Sequence, residues 1–183
     1  MSRKAAARSN VKRVKQKRIR DGSKSAYAAP QRRFVEWLLD THEECVHESI
    51  RNALVGVSAS NRKKSLSKLM KEALAAGTPL LVFDMLRVDD VEDFFGQLKK
   101  ENGQDFSLSA CGTARSAVLN LFATFQVPVP LEMTCAVADF WKGLKRDYVD
   151  KKRLGGIAIE EGSGVFAHLL TCFRFVISLL LVN

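Results

Sequence analysis

Residues 41–48, Thr-His-Glu-Glu-Cys-Val-His-Glu, gather side chains of the kinds that bind metal ions. A zinc-protease helix carries two histidines four residues apart, with a glutamate after the first, so that both imidazoles leave one face. Here His42 and His47 are five residues apart, and on a helix this spacing turns their rings away from each other. The segment therefore predicts a solvated helix surface without a metal ion.

Motifs of phosphate-binding and hydrolytic enzymes are missing from the sequence. It contains no G-x-x-x-x-G-K-[ST] loop, no G-x-G-x-x-G loop and no G-x-S-x-G nucleophile turn. Four acids cluster at Asp89, Asp90, Glu92 and Asp93, where they complement the dipole of a helix N-terminus. This explanation is simpler than a pair of catalytic carboxylates. We therefore expect no catalytic activity and no cofactor.

Basic side chains recur at helical spacing in two segments. Lys64, Lys68 and Lys71 are separated by four and three residues, with no acid among them. Arg115 and Asn120 lie outside the apolar stripe of their own segment. The second basic cluster contains Lys142, Lys145, Arg146, Lys152 and Arg153. One such cluster is usually ordinary solvated surface, but two of them and a basic tail favour binding to a phosphate backbone.

The positive charge of the chain is concentrated at its N-terminus. Residues 1–33 hold twelve Lys and Arg against one acid, which leaves 17 basic and 19 acidic residues in the rest. Because residues 1–30 have little apolar surface, we expect a disordered basic arm. Its densest part contains Lys12, Arg13, Lys15, Lys17, Arg18 and Arg20. This run is typical of nuclear-localisation or phosphate-binding arms, although a solvated tail and a transit peptide are alternatives.

The hydrophobic pattern predicts an all-α core domain over residues 31–153. Apolar residues recur at steps of three and four along 31–55, 62–76, 89–102 and 107–127, and again along 131–152. The first of these segments predicts one long amphipathic helix or two short ones. Ser107 or Ser109 is expected to begin the fourth of these segments, and Gly77 to end the second. No segment of the core alternates with period two. We therefore expect a bundle of four or five helices with short loops.

The four cysteines, Cys45, Cys111, Cys135 and Cys172, are far apart and form no C-x-x-C motif. The basic leader also lacks the apolar core of a secretory signal. We therefore expect free thiols in a reducing compartment.

The C-terminus differs in character from the core domain. Residues 154–164 have the composition of an exposed linker, whereas residues 165–183 are almost wholly apolar. That length would just span a membrane, but Arg174 near its middle makes insertion costly. A last core helix and sequence foreign to the natural domain are the alternatives.

The order of segments between residues 60 and 160 resembles the N-terminal core-binding domain of tyrosine recombinases, most closely those of Crypton-type elements. The resemblance rests on Leu-Ser-Lys-Leu-Met-Lys at 66–71 and Val-Asp-Asp-Val-Glu-Asp-Phe-Phe at 88–95. It continues with Ser-Leu-Ser-Ala-Cys-Gly-Thr-Ala-Arg-Ser-Ala-Val-Leu-Asn-Leu-Phe at 107–122 and Val-Ala-Asp-Phe-Trp-Lys-Gly-Leu-Lys-Arg at 137–146. The resemblance implies a SAM-like helical bundle that packs on one side of duplex DNA. It also implies that Arg115 and the helix carrying Lys142, Lys145 and Arg146 face the DNA.

The chain departs from that family in the groups that perform strand exchange. The family's catalytic domain supplies two arginines, a lysine, histidines and a tyrosine nucleophile. This chain has only Tyr27 and Tyr148 and no H-x-x-R motif. The resemblance therefore implies a non-catalytic remnant of a transposable element that retains DNA binding, with duplex DNA as its partner and a homo-oligomer on DNA as a further possibility.

Two other functions remain open from the sequence. The first is a tail-anchored or peripheral membrane protein, in which residues 165–183 insert and the basic arm contacts anionic lipid. The second is a helical protein-interaction module whose partner covers the apolar C-terminal segment.

Overall fold

A computed structural model describes residues 21–99 and 103–154. Within them, six α-helices follow one another: α1 (Asp21–Thr41), α2 (Glu48–Leu54), α3 (Ala59–Ala76), α4 (Val88–Gly96), α5 (Leu108–Thr124) and α6 (Leu131–Arg153). Short 3-10 turns lie at Glu43–Cys45 and Phe83–Met85. These residues contain no β-strand, only isolated bridges between Val46 and Leu81 and between Lys99 and Asp105. The all-α fold class is confirmed.

The chain divides into two compact units after Phe140, within helix α6. The first unit contains α1 to α5 and the beginning of α6, and it holds the hydrophobic core. The described part of the second unit is residues 141–154, which form the C-terminal half of α6.

Helices α1 and α5 form the most extensive helix pair of the first unit. Helix α5 contributes Ala114 and Ala117, whose small side chains allow two helix backbones to approach closely. Gln31 of α1 is 5% exposed, and its side-chain amide donates to the Ala117 carbonyl across 3.1 Å. Because a buried amide needs a hydrogen-bond partner, this contact fixes α1 along α5.

Aromatic side chains join helix α4 and the second 3-10 turn to this helix pair. Phe34 of α1 meets the edge of Phe94 of α4, with ring centroids 4.9 Å apart. Phe122 of α5 contacts Phe83 of the second 3-10 turn at 4.8 Å. Such tilted and edge-on pairs add to the free energy gained by burial alone. The core is therefore continuous from α1 through both flanking elements.

The structure has six helices where four or five were expected, and the segment 31–55 explains part of the difference. It divides into α1 and α2 because the chain is extended around Val46, which is buried and bridged to Leu81. His47 N–H donates to the Leu80 carbonyl at 3.0 Å in the same crossing. The expectation of a solvated helix over residues 41–48 was therefore wrong.

Other helix ends agree with the sequence more closely. The Ser107 side chain caps α5 by accepting from Ala110 N–H at 3.2 Å, and Gly77 ends α3 in the left-handed conformation, as predicted. Helix α4, however, ends at Gly96 rather than near residue 102.

The N-terminal boundary differs from the predicted one. Helix α1 begins at Asp21 and continues through Pro30, so that residues 21–30, assigned to the arm, are helical. These residues were assigned to the arm because they have little apolar surface. The basic run at residues 12–20, the segment 155–164 and the apolar segment 165–183 lie outside the described residues.

Replacing Gly77 by alanine is expected to lower the free energy of unfolding by about 1 kcal/mol, because a side chain is strained at a φ of 74°. Gly96→Ala is the matched control. Gly96 also ends a helix and has open space around it, but its φ is not in the left-handed region. Urea unfolding should show no loss for Gly96→Ala; equal losses in both variants would contradict the explanation.

Candidate nucleic-acid interface

A basic stripe runs along the described part of the second unit. Residues 142–153 belong to one continuous helix, on which positions three, four, seven, ten and eleven residues apart share a face. The exposed cations Lys142, Lys145, Arg146, Lys152 and Arg153 occupy that face, with exposed Val149 between them. We call this set the α6 stripe. Lys145 Nζ lies 5.9 Å from the centroid of the Trp141 ring, a distance suited to a cation–π contact.

The two acids of this half of α6 occupy different positions around the helix. Asp147 pairs with Lys151 at 2.9 Å, on the side away from the stripe. Asp150 lies at the edge of the stripe, one turn from Arg146 and Arg153. Lys151 is therefore engaged with an acid, and Lys142 of the stripe also interacts within the chain. The ion pair with Asp147 distinguishes Lys151 from the adjacent Lys152.

Lys64, Lys68 and Lys71 form a second basic face on α3, in the first unit, and all three are exposed. Lys68 lies 3.9 Å from Glu72 one turn away, but both side chains are largely in solvent, so this pair holds the lysine weakly. Arg62 of the same helix pairs with Asp40 of α1 at 2.9 Å. The α3 lysine face thus remains accessible, while Arg62 connects two helices.

Arg115 is half-buried on α5. Burial lowers the pKa of its guanidinium, which nevertheless stays charged at neutral pH because its ordinary value is so high. The side chain also interacts within the chain. It therefore offers less accessible charge than the α6 stripe.

The side chain of Asn120 is hydrogen-bonded within the first unit. Its side-chain oxygen accepts from the Gln31 amide at 3.3 Å and from the Thr124 hydroxyl at 3.3 Å. Asn120 was expected to contact DNA because it lies outside the apolar stripe of α5, and such residues usually point to solvent. Helix α1 covers this position instead, because Gln31 belongs to the α1–α5 contact.

Asn120→Ala is therefore expected to lower the free energy of unfolding by about 1 kcal/mol, since it removes an acceptor from a buried amide. Asn120→Asp retains an oxygen acceptor and should lose less. Neither variant should alter affinity for duplex DNA. A loss of DNA affinity in Asn120→Ala with unchanged urea stability would show that the residue contacts DNA.

The histidine and acid cluster around residue 42 also contributes to structure. His42 Nε2 lies 3.5 Å from an oxygen of Asp90, which is 2% exposed and accepts the backbone N–H of Arg87 at 2.8 Å. His47 lies beyond the 3-10 turn and accepts the N–H of Ser49 to cap α2. Within residues 21–99 and 103–154, no group of three or more His, Cys, Asp or Glu could hold a metal ion.

Two of the cysteines are protected within the first unit. Burial, followed by the Asp90 and Glu44 carboxylates, raises the pKa of the Cys45 thiol to about 11. Burial and Asp105 also raise the pKa of Cys111. Cys135 is exposed, and all three are free thiols. Because the thiolate is the nucleophile, Cys45 and Cys111 are poorly reactive at neutral pH.

Iodoacetamide at neutral pH should therefore alkylate Cys135 well before Cys45 and Cys111, as measured by peptide mass spectrometry over time. A thiol with a pKa near 11 is ionised in only about one molecule in ten thousand at pH 7. Unfolding in urea should abolish the difference. Alkylation of Cys45 in the folded protein at the rate of Cys135 would contradict the buried position.

No protein family, curated protein or solved structure matches the chain. Among the helices of residues 21–99 and 103–154, none is long and apolar enough to cross a membrane.

The sequence analysis did not single out Arg33, although it lies within the predicted helical segment 31–55. On α1 its guanidinium carbon lies 4.8 Å from the centroid of the Phe106 ring. Because Phe106 is far along the chain, helical spacing alone does not indicate this contact.

Proposed function

We propose that the chain is a non-catalytic DNA-binding module that holds the phosphate backbone of duplex DNA through the α6 stripe, with the α3 lysine face and the basic arm adding affinity. The observation that carries the proposal is the excess of exposed cations along one side of the C-terminal half of α6. Five cations share that side, with Asp150 at its edge, and Asp147 pairs with Lys151 outside it.

The dimensions of the α6 stripe suit a phosphate backbone. A helix rises about 1.5 Å per residue, so the stripe extends over about 16 Å. A DNA strand carries one phosphate per about 3.4 Å of helix axis, so several phosphates lie within that length. Cations spaced along the stripe neutralise these phosphates and release counterions, which makes binding salt-dependent and weakly selective.

The proposal follows the resemblance to the core-binding domain of tyrosine recombinases, in which a helical bundle engages duplex DNA. The all-α fold is consistent with that resemblance and with many other helical bundles. The charge on α6 therefore supports DNA binding independently of the family. A nuclear location and a role in DNA recombination are further expectations of the same resemblance.

Two adjacent lysines of α6, which leave the helix about 100° apart, provide a matched test in the full chain. Lys152→Ala removes a cation from the stripe, and Lys151→Ala removes the cation paired with Asp147. Fluorescence anisotropy with a labelled duplex should show that Lys152→Ala reduces the slope of log K against log salt by about 1, because one phosphate contact is lost. Lys151→Ala should change the slope much less.

Charge reversal extends this test to the whole stripe. Changing Lys142, Lys145 and Arg146 together to glutamate should abolish most of the salt-dependent binding at moderate salt. Circular dichroism checks that α6 remains helical. If the reversed variant binds as the natural chain does, the arm alone holds DNA. If Lys151→Ala and Lys152→Ala are equally impaired, net charge rather than the stripe determines binding.

A further inference from the structure

A small apolar groove opens on the first unit. Pro30 of α1, Leu98, Phe106 and the α5 residues Ala110 and Ala114 form its walls. Its volume is about 190 Å³. Cavities of about 150 Å³ hold a benzene-sized group, so the groove has room for one aliphatic or aromatic side chain.

Arg33 borders the groove and is its one charged lining residue. Its guanidinium lies over the Phe106 ring, at 4.8 Å from the centroid. The neighbouring Arg32 pairs with Glu36 at 2.6 Å, whereas no carboxylate of the described residues pairs with Arg33. An arginine held on an aromatic ring has its orientation restricted in advance and keeps N–H donors for a planar bidentate partner.

We propose that this groove binds a partner peptide that inserts one apolar side chain and places an adjacent carboxylate on Arg33. The positive charge of Arg33 selects the carboxylate, and the apolar walls select the apolar side chain. A carboxylate satisfies the arginine through charge-assisted hydrogen bonds, and the apolar side chain removes the walls from water. The site is independent of the proposed DNA binding, because none of the basic stripe residues lines it.

A nucleic-acid base fits this groove less well. The edges of a base carry donors and acceptors that lose hydrogen bonds to water on burial, and burial without replacement partners is costly. The Thr113 hydroxyl, the one uncharged polar side chain of the lining, already donates to the Ser109 carbonyl at 3.1 Å. An aliphatic side chain has no such groups and therefore enters without this cost.

The proposal is tested with the full chain, isotopically labelled for NMR, and two terminally blocked peptides, Leu-Glu-Glu-Leu and Leu-Gln-Gln-Leu. The glutamate peptide should shift the resonances of Leu98, Ala110 and Thr113. The glutamine peptide, which has the same size but no charge, should bind about tenfold more weakly, since a charge-assisted pair contributes on the order of 1.4 kcal/mol.

Three variants locate the site. Arg33→Glu should remove the preference for the glutamate peptide, and Ala110→Phe should fill the groove and abolish the shifts of both peptides. Lys71→Glu makes the same change of charge on α3 and should leave peptide binding unchanged. Circular dichroism and urea unfolding establish that the Ala110→Phe variant is folded. If it is not, loss of the preference for the glutamate peptide in Arg33→Glu, at an exposed position, decides the matter.

Three results would overturn the proposal. They are no shift with either peptide, equal binding of the two peptides, and shifts confined to the basic helix faces. A single-stranded oligonucleotide that shifts Leu98, Ala110 and Thr113 and displaces the peptide would show that the groove takes bases. None of these results depends on duplex binding by the α6 stripe, so the two proposals fail separately.

Discussion

The close contact between α1 and α5 is the constraint on which the rest of the first unit depends. Small side chains on α5 allow the approach, and the Gln31 amide fixes its register by bonding to the Ala117 carbonyl. Once this pair is set, Phe34 and Phe122 project to the two elements that they hold, α4 and the second 3-10 turn. The packing is therefore ordered around one helix pair, and the loops between helices follow from it.

Local pairing determines which cations remain accessible. Arg32, Arg62 and Lys151 each lie within ion-pair distance of an acid, at 2.6, 2.9 and 2.9 Å. Three acids are thus paired with particular cations, and Asp90 caps the N-terminus of α4. The cations on the α6 stripe outnumber the acids beside them, and all five are exposed. Composition alone does not distinguish Lys151 from Lys152, but the geometry of one helical turn does.

Periodicity and capping predicted most of the helices, because both depend on residues near one another in sequence. Helix α5 shows this best, since its cap at Ser107 and its buried stripe were both expected. The break around Val46 was missed because it depends on Leu81, far along the chain. The hydrogen bond between Gln31 and Asn120 was missed for the same reason, because the two residues come from helices that are distant in the sequence. The basic faces were predictable because helical spacing alone places them.

The α1–α5 contact also explains why a groove exists beside it. Small residues continue along α5 from Ala117 back to Ala114 and Ala110, but the Gln31 bond holds α1 at the level of Ala117. At the other end of the small-residue series, Ala110 and Ala114 line the groove together with Pro30 and Phe106. A peptide that binds there in the folded protein and not in the unfolded chain stabilises the folded state, and the stabilisation rises with the logarithm of its concentration above Kd. Binding at the groove and stability of the helix pair are consequently linked, whereas the exposed cations of α6 bear little on the core.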